Sequence, residues 1–577
     1  MSHDGAGGSE LDVLRHSTAH VMAKAVQRLY PGSKLAIGPT IENGFYYDID
    51  IPQPVSTEDL PKIEAEMRQI IEANEPFVRS EMPRDEALTF FREKGEPYKV
   101  EIIEGVEDMT VSLYATGDDW IDLCRGPHVA RTGQIEAFKL TSVAGAYWRG
   151  DEHRPMLQRI YGTAWPNQEQ LEHYLWQVEE ARRRDHRRLG RELELFFFDD
   201  VAPGQPFWLP NGITVIRELE QLLQSELSRR GYLEISTPSL VKKELWEQSG
   251  HWAFYRDNMF RSEVEEAEYA FKPMNCPEST LVYRLKTRSY RDLPLRLAQT
   301  DRLLRNERSG TLSGLLRVRQ LTMDDAHVYC RPDQVRAEIT AMLEFGQFIY
   351  DIFGFERKYY LSTRPEKALG DEALWEKAEG DLARALEAVG ISYEIKPGEG
   401  AFYGPKIDID IHDALGRPWQ LTTIQLDFNQ PERFDLEYVA EDGARHRPAM
   451  IHRAIYGTYE RFLAILIEHY AGAFPLWLAP LQAAVIPITD EHVAYAETVA
   501  ARLRAEGFRV EVDDRPERMR LKIRQAELRK VPYMLVVGGK EAASNSAAVR
   551  AHGRGDLGAV PLPELIASMQ ERRAARA

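Results

Sequence analysis

Four residues near the start of the chain have the types and spacing of a polar pocket or a metal site. In HSTAH, His16 and His20 stand four residues apart, so on a helix both imidazoles face one side. DLCRGPH adds Cys124 and His128. The set suits a zinc site or a metal-free polar pocket, and unrelated core and surface positions are a third interpretation. Zinc proteases carry a glutamate between such histidines, and its absence here argues against protease chemistry.

A second set of candidate ligands is spread over the middle of the chain. Cys276 lies in KPMNCPE, His327 in TMDDAH and His452 in MIHRAIYGTYER. One thiol and two imidazoles with a fourth position open describe a catalytic zinc site. The separations are too long for a local signature, so spacing alone does not group the three. The chain has 3 cysteines, too few for a disulfide framework.

The bulk properties indicate a large multidomain protein of the cytosol. With 577 residues, 43% hydrophobic and 28% charged, the chain is expected to form three or four domains. No membrane span or signal peptide is evident, so we expect a cytoplasmic location. A net charge of -18 argues against a DNA-coating surface, but two basic stripes, at 181–192 and 515–530, leave room for a polyanion partner.

The elements that would position these residues divide the chain into four segments of an α+β protein. Residues 1–165 combine a helical pattern with short apolar runs and turns, and 166–190 read as a helical linker. Residues 191–475 mix long helices with period-two alternation, which predicts an antiparallel sheet. Residues 476–577 alternate strands and helices, as in a small α/β domain with a mostly parallel sheet.

Whole segments of the sequence resemble threonyl-tRNA synthetases, a class II aminoacyl-tRNA synthetase family. They run in the family's order from residue 11 to 560 and include HSTAHVMAKAV, AIGPTIENGFYYD, DLCRGPHV, KPMNCPE, RNERSG, LLRVRQLTMDDAH, GEGAFYGPKI, MIHRAIYGTYERF and VPYMLVVGGKE. The resemblance implies a form without the family's N-terminal ubiquitin-like domain. It assigns an editing domain to 1–165, a class II antiparallel catalytic core to 191–475 and an anticodon-binding domain to 476–577.

The resemblance also implies the reaction, the ATP site and a homodimer. Such an enzyme activates threonine with ATP and Mg²⁺ and transfers it to tRNA(Thr). Residues 213–238 resemble motif 1, which builds the dimer interface in the family. Arg305 and Glu307 match motif 2, Arg461 matches motif 3, and Arg317 joins them on the phosphates. Guanidinium groups suit this task because they offer paired, charged hydrogen bonds to phosphate oxygens.

In the family, the amino acid is selected by one zinc ion per subunit. The resemblance makes Cys276, His327 and His452 its ligands, and the ion binds the amino group and hydroxyl of threonine, so valine is rejected. The residues expected to bind substrate around it are Asp325, Tyr403, Lys406, Gln420 and Gln425. Serine keeps both donor groups and lacks only a methyl group, so this site should admit some serine.

The family corrects that error in its N-terminal domain, which hydrolyses seryl-tRNA(Thr). The residues matching that pocket are His16, His20, Lys99, Asp122, Cys124 and His128, and the resemblance favours a pocket without metal that orients a water against the ester. At the other end of the chain, Lys530, Glu541 and Arg550 match positions that contact anticodon bases.

Several wall positions depart from the family pattern. NCPES stands where NCPGH is usual, so Ser279 replaces a histidine, and QTDRLLRNE replaces a form close to EFGSCHRNE. Leu321 replaces an aromatic residue, Met323 a glutamine and Gln430 an apolar residue. Two alternative explanations are open: ordinary divergence within the family, or a second-copy enzyme whose altered pocket resists a natural inhibitor. An RNA-binding regulator or trans-editing protein with a decayed ATP site is the non-synthetase alternative.

Overall fold

A computed structural model describes residues 9–576 and divides into two compact units, Met1–Glu179 and Glu180–Ala577. Within the described residues, none of the helices combines the length and the apolar character that crossing a bilayer requires.

The N-terminal unit is built on a long helix and two antiparallel sheets. Its elements are α1 (Glu10–Leu29), β1 (Lys34–Leu35), β2 (Thr40–Ile41), β3 (Gly44–Asp50), α2 (Leu60–Glu72), β4 (Phe77–Pro83), α3 (Arg84–Lys94), α4 (Pro97–Glu104), β5 (Thr110–Thr116), β6 (Trp120–Leu123), β7 (Ala137–Tyr147) and β8 (Met156–Trp165). One sheet has the order β1-β3-β8-β7 with β2 beside β3, and the other has the order β4-β5-β6. The expected first helix is confirmed, and a capping box between Ser9 and Asp12 starts it.

The linker region is two helices instead of one. Helix α5 (Gln168–Arg184) ends inside the first basic stripe, and α6 (His186–Glu192) follows after a single residue. Asp185 causes the break because its side chain accepts a hydrogen bond from the Arg187 backbone N–H at 2.8 Å and thereby caps a new helix. The region expected to be a helical linker thus consists of two helices that are divided at this residue.

The larger unit contains the remaining elements. Those up to residue 304 are β9 (Phe196–Phe197), β10 (Phe207–Trp208), α7 (Pro210–Arg229), β11 (Leu233–Glu234), β12 (Leu240–Lys242), α8 (Lys243–Ser249), α9 (His251–Tyr255), β13 (Arg261–Val264), β14 (Ala267–Phe271), α10 (Cys276–Arg284), β15 (Arg288–Ser289) and β16 (Leu295–Leu304). Those up to residue 469 are β17 (Gln320–Cys330), α11 (Val335–Phe353), β18 (Glu356–Ser362), α12 (Glu372–Ala388), β19 (Tyr393–Lys396), β20 (Lys406–His412), β21 (Pro418–Asp427), α13 (Asn429–Arg433), β22 (Tyr438–Val439), β23 (Arg445–His446), β24 (Ala449–Thr458) and α14 (Tyr459–His469).

An eight-stranded sheet of order β11-β16-β17-β24-β21-β20-β18-β19 organises this unit. It is antiparallel except for the β11–β16 and β18–β19 pairs, as the period-two alternation predicts. In β20, Ile407, Ile409 and Ile411 are fully buried in the hydrophobic core with helices α11, α12 and α14. Alternate residues of a strand face opposite sides, so Lys406 and Asp408 belong to the other, polar face.

The C-terminal part has a mixed sheet. Its elements are β25 (Ala483–Pro487), α15 (Val493–Ala505), β26 (Val510–Val512), α16 (Met519–Leu528), β27 (Tyr533–Val537), α17 (Gly539–Ser544), β28 (Ser546–Ala551), β29 (Gly555–Pro561) and α18 (Leu562–Ala574), and the sheet order is β26-β25-β27-β28-β29. The expected parallel pairing holds for β25 with β26 and β27, but β28 and β29 are antiparallel. A turn as short as the one between β28 and β29 can only join antiparallel strands.

Candidate active site

Strand register builds the polar face of the eight-stranded sheet into one site. His327 pairs with His452, His452 with Gln425, and Gln425 with Lys406. Residues directly opposite each other in a sheet project their side chains to the same face. Four residues separated by up to 125 positions in the chain therefore form a row across β17, β24, β21 and β20.

The thiol of Cys276 joins this row from the first residue of α10. Its Sγ and one nitrogen each of His327 and His452 all lie within 4.8 Å of one another, and all three residues are buried. Burial raises the pKa of the Cys276 thiol and lowers the pKa of His327. His327 Nδ1 is buried without a hydrogen-bond partner among the described residues. A thiol, two imidazoles and an orphaned buried nitrogen fit a zinc ion.

Asp427 and His251 support this cluster, and sequence reasoning did not single out either of them. His452 Nε2 lies 2.9 Å from Asp427 Oδ2, which leaves Nδ1 for another partner and fixes the ring orientation. His251 Nε2 lies 3.6 Å from Cys276 Sγ, and its Nδ1 contacts Ser249 Oγ at 2.9 Å. The segment GHW in the sequence was the one available signal for His251.

The residues expected to bind substrate line the same cavity of about 660 Å³. Asn275 Nδ2 donates to Asp325 Oδ2 at 3.2 Å, and the Tyr403 hydroxyl donates to Gln425 Oε1 at 2.5 Å. Lys406 forms an ion pair with Asp408 at 2.8 Å, and Gln420 Nε2 donates to the same carboxylate. The cavity wall therefore presents a carboxylate, a phenol and amide groups beside the thiol–imidazole cluster.

Three guanidinium groups line the same cavity. Arg305, Arg317 and Arg461 all line it, and Glu307 lies 3.0 Å from Arg317 Nε. Burial, together with the charges of Arg305 and Arg317, lowers the pKa of Arg461. Like charges held together in a partly buried cavity favour an anionic ligand such as a polyphosphate.

The expected N-terminal pocket is also assembled, in the smaller unit. Cys124 Sγ lies 3.3 Å from His16 Nε2 and 3.2 Å from His128 Nε2, and the rings of His16 and His20 are 5.2 Å apart on one face of α1. Burial raises the pKa of Cys124 to about 12 and lowers the pKa of both His20 and His128. The pocket thus holds neutral imidazoles beside a thiol.

The Lys99–Asp122 pair lies beside His16 and His20, and all four residues line a cavity of about 790 Å³. Lys99 Nζ is 2.7 Å from Asp122 Oδ1, and His20 Nε2 is 3.9 Å from Asp122 Oδ2. Tyr47, which sequence reasoning missed, accepts a hydrogen bond from Lys99 at 3.0 Å and donates one to Asp122. The pocket combines proton donors and acceptors suited to holding a water and an ester.

The three expected anticodon residues occupy separate elements of the C-terminal part. Lys530 follows α16 in a left-handed conformation with φ of 58°. Glu541 accepts from the Gly538 N–H at 3.0 Å and so caps α17, and Arg550 on β28 pairs with Asp556 at 3.3 Å. Among the described residues, no hydrogen bond or ion pair joins the three to one another.

Of the four positions that depart from the family pattern, two line the first cavity and two lie outside its lining. Ser279 Oγ contacts the Tyr329 hydroxyl at 2.7 Å, and Gln430 Nε2 donates to the Ser249 carbonyl at 2.8 Å. Leu321 and Met323 line the cavity, and Leu321 also packs against Leu303. Both polar side chains thus bond to neighbouring protein groups, but Gln430 Oε1 is buried without a hydrogen-bond partner among the described residues.

Comparisons with known proteins agree along the chain. Residues 260–470 match the class II tRNA synthetase core domain (G, H, P, S and T), 482–572 the anticodon binding domain, and 111–161 the second additional domain of threonyl and alanyl tRNA synthetases. A threonine–tRNA ligase of Symbiobacterium thermophilum is 54% identical over 98% of this chain and 87% of its own length. One from Desulforamulus reducens is 51% identical over 97% and 88%.

A solved structure is similar as well. The crystal structure of the RNA binding domain of threonyl-tRNA synthetase from Cryptosporidium parvum is 43% identical with a TM-score of 0.66, and it covers 67% of this chain and 98% of its own. Identity above one half over nearly the whole length, together with the three matched domains, shows that this chain belongs to the threonyl-tRNA synthetase family.

Proposed function

We propose that this chain activates threonine with ATP, transfers it to tRNA(Thr), and hydrolyses seryl-tRNA(Thr) in its N-terminal pocket. The observation that carries the proposal is one cavity that holds both a cluster of three arginines and a buried thiol with two imidazoles. The arginines suit a nucleoside triphosphate, and the thiol–imidazole cluster suits a small amino acid. The three cysteines are all unpaired, as suits a reducing cytoplasm.

In the activation step, an oxygen of the threonine carboxylate attacks the α-phosphorus of ATP and pyrophosphate leaves. Arg305, Arg317 and Arg461 bind the phosphates and stabilise the charge that develops. Glu307 orients Arg317 and accepts from the adenine amino group. Class II synthetases use ATP with Mg²⁺, and here the ion would add positive charge beside the arginines that bind the phosphates. In the transfer step, the terminal ribose hydroxyl of tRNA attacks the carbonyl carbon and AMP leaves.

Selection of the amino acid depends on the thiol–imidazole cluster in the cavity. Cys276, His327 and His452 would hold one zinc ion, which supplies a Lewis-acid position for the amino group and hydroxyl of threonine. Asp325, oriented by Asn275, accepts the hydroxyl proton of threonine in a hydrogen bond. Valine cannot supply that proton and is rejected strongly. Serine lacks only a methyl group, so the site discriminates against it by only roughly 1–3 kcal/mol.

Threonine-dependent exchange of pyrophosphate into ATP tests the activation reaction. We expect exchange with threonine, weaker exchange with serine and none with valine. Arg305→Ala should abolish exchange, while Arg384→Ala, at an exposed position of α12, should leave it unchanged. Absence of threonine-dependent exchange in the unmodified protein would instead favour an RNA-binding regulator or a trans-editing protein.

Metal analysis of the purified protein tests the zinc proposal separately. We expect one zinc per chain, lost in Cys276→Ala together with exchange. We propose that the N-terminal pocket works without metal and orients its water through polar side chains, although His16, His20, Cys124 and His128 lie close enough together to hold an ion. Two zinc ions per chain would contradict that proposal.

The editing proposal depends on the second cavity. His16, His20, Cys124 and His128 would orient a water toward the ester carbonyl, and the Lys99–Asp122 pair would hold the seryl group. Deacylation of seryl-tRNA(Thr) is the assay. We expect His16→Ala to lose most of this activity and His153→Ala, at an exposed loop position, to retain it. Equal deacylation rates for the two variants would contradict the assignment of this pocket to editing.

A homodimer is proposed from the motif 1 segment. Strand β11 is the edge of the eight-stranded sheet, and Leu233 within it is 57% exposed. Leu285, at the end of α10, is 78% exposed. An exposed leucine on a sheet edge and a second one at a helix end favour association. Analytical ultracentrifugation should give twice the chain mass, and a monomer at micromolar concentration would exclude the dimer.

Lys530, Glu541 and Arg550 are proposed to contact anticodon bases. An Arg550→Ala variant should raise the KM for tRNA(Thr) without changing pyrophosphate exchange.

The proposed domain boundaries are 1–165, 166–190, 191–475 and 476–577. Limited proteolysis with mass measurement of the fragments would locate the exposed connections.

A further inference from the structure

A buried histidine outside the cavity is bonded on both ring nitrogens. His186, the first residue of α6, is 2% exposed. Its Nδ1 lies 2.7 Å from Glu468 Oε1 in the last turn of α14, and its Nε2 lies 3.0 Å from the Leu315 backbone nitrogen. A backbone N–H can only donate, so Nε2 accepts and the proton is on Nδ1, which donates to Glu468. The ring therefore joins two distant segments in one defined tautomer.

The far side of this histidine is anchored by a network of ionic hydrogen bonds. The other oxygen of Glu468 accepts from Arg417, and Arg417 Nε also donates to Asp413 at 2.7 Å. Trp419 Nε1 donates to the same Asp413 carboxylate at 3.0 Å. Although Asp185, His186 and Glu468 cluster closely enough to hold a metal ion, these carboxylates and the ring are already saturated by protein partners. The cluster is therefore a fixed anchor and not a metal site.

On its other ring nitrogen, His186 holds the loop of residues 313–317, which carries Arg317 of the arginine cluster. Leu315 is fully buried, and the next residue, Leu316, accepts a hydrogen bond from Arg461 Nε at 3.1 Å through its carbonyl. Arg317 follows and reaches Glu307 at 3.0 Å. The loop closes on itself because the Ser313 N–H donates to the Arg317 carbonyl at 3.2 Å. A shift at Leu315 would thus move both arginine contacts together.

Close packing makes this connection specific. Gly314 has a φ of +50°, and a Cβ built there would lie 2.2 Å from His186 Nε2. Both the left-handed backbone and the short distance require glycine. The loop can therefore approach the ring only because residue 314 has no side chain.

We propose that His186 is a positioning residue for ATP, which holds the 313–317 loop so that Arg317 and Arg461 meet the phosphates. The inference rests on the proposed ATP role of these arginines. It predicts that loss of the His186 bonds weakens ATP binding and leaves threonine binding unchanged, since Cys276, His327 and Asp325 are not part of this loop.

Two substitutions at one position separate bonding from packing. In His186→Gln, the amide nitrogen can donate to Glu468 and the amide oxygen can accept from Leu315, so the connection is kept. His186→Leu fills a similar volume and keeps neither bond. The measurements are the Kd of Mg-ATP by calorimetry and the KM for ATP and for threonine in pyrophosphate exchange.

We expect His186→Leu to raise the Kd and KM for ATP about tenfold, with the KM for threonine and seryl-tRNA deacylation unchanged. His186→Gln should stay within about threefold of the unmodified protein. An unchanged Kd for ATP in a folded His186→Leu, or equal losses for ATP and threonine in both variants, would overturn the proposal. Should His186→Leu fail to fold, Gly314→Ala, which displaces the loop and leaves the histidine in place, must show the same selective loss of ATP affinity.

Calorimetry keeps this proposal distinct from the proposed function. If the unmodified protein binds ATP but shows no threonine-dependent exchange, the synthetase function fails, and the Kd of ATP in the variants still decides the role of His186.

Discussion

Replacing Arg461 by methionine should impair catalysis without lowering the stability of the free protein. The guanidinium is half-buried, donates to the Leu316 and Gln420 carbonyls at 3.1 and 3.3 Å, and shares its cavity with Arg305 and Arg317. Burial and these like charges lower its pKa, so in the free protein the charged form is less favourable than in the unfolded chain. With ATP bound, the same charge faces phosphates and is favourable.

The magnitude follows from the loss of one preorganised charged donor. Removing such a donor costs about 2.7–4 kcal/mol in the transition state, or about 10²–10³-fold in rate. We expect Arg461→Met to lower kcat/KM for ATP by that factor, while the melting temperature without ligand stays unchanged or rises. Saturating ATP should then raise the melting temperature of the unmodified protein more than that of the variant.

Pyrophosphate exchange and thermal denaturation with and without ATP measure these effects. Arg384→Met on the exposed face of α12 is the matched control and should change neither quantity. If Arg461→Met instead melts several degrees lower without ligand and keeps its KM for ATP, the arginine is a structural brace of the 313–317 loop and the reasoning is refuted.

Three further predictions concern other groups. Burial raises the pKa of Glu460 from 4.5 to about 7, so between these pH values the folded protein keeps a proton that the unfolded chain has lost. This shift contributes about 3 kcal/mol to the free energy of unfolding. The contribution is complete below pH 4.5 and is lost as the pH rises through 7. Glu460→Gln keeps an acceptor for the Thr322 N–H, so its melting temperature should fall less between pH 5 and 8 than that of the unmodified protein; parallel curves would contradict this. Tyr47→Phe removes the hydroxyl between Lys99 and Asp122, each such bond being worth about 1 kcal/mol, and should slow seryl-tRNA deacylation roughly tenfold without altering exchange. If Ser279, Leu321, Met323 and Gln430 confer resistance, a synthetase-directed antibiotic should inhibit exchange far less than it inhibits an ordinary bacterial enzyme, and equal sensitivity would favour family drift.

Local patterns in the sequence predicted the elements that depend on local physics. The spacing of His16 and His20 placed both rings on one face of α1, where the structure has them in contact. The period-two alternation expected within 191–475 is present in β20, where isoleucines alternate with charged residues and lie in the core. These predictions succeed because side-chain direction along a helix or strand is set within a few residues.

Long-range register could not be predicted in this way. Cys276, His327 and His452 were grouped only through the family resemblance, because their proximity depends on which strand pairs with which. Asp427, His251 and Tyr47 were missed for the same reason: each acts through a partner far away in the chain. The break at Asp185 was missed because a capping residue inside a basic run resembles an ordinary helix position.

The row of side chains across β17, β24, β21 and β20 restricts how the pocket can evolve. A shift of one residue in any of these strands would turn its member of the row to the apolar face and bring a core residue into the cavity. Insertions and deletions are therefore tolerated in connecting loops but not within the four strands. A new amino acid preference is therefore expected to arise by substitution at fixed positions, with the spacing of the strands left intact.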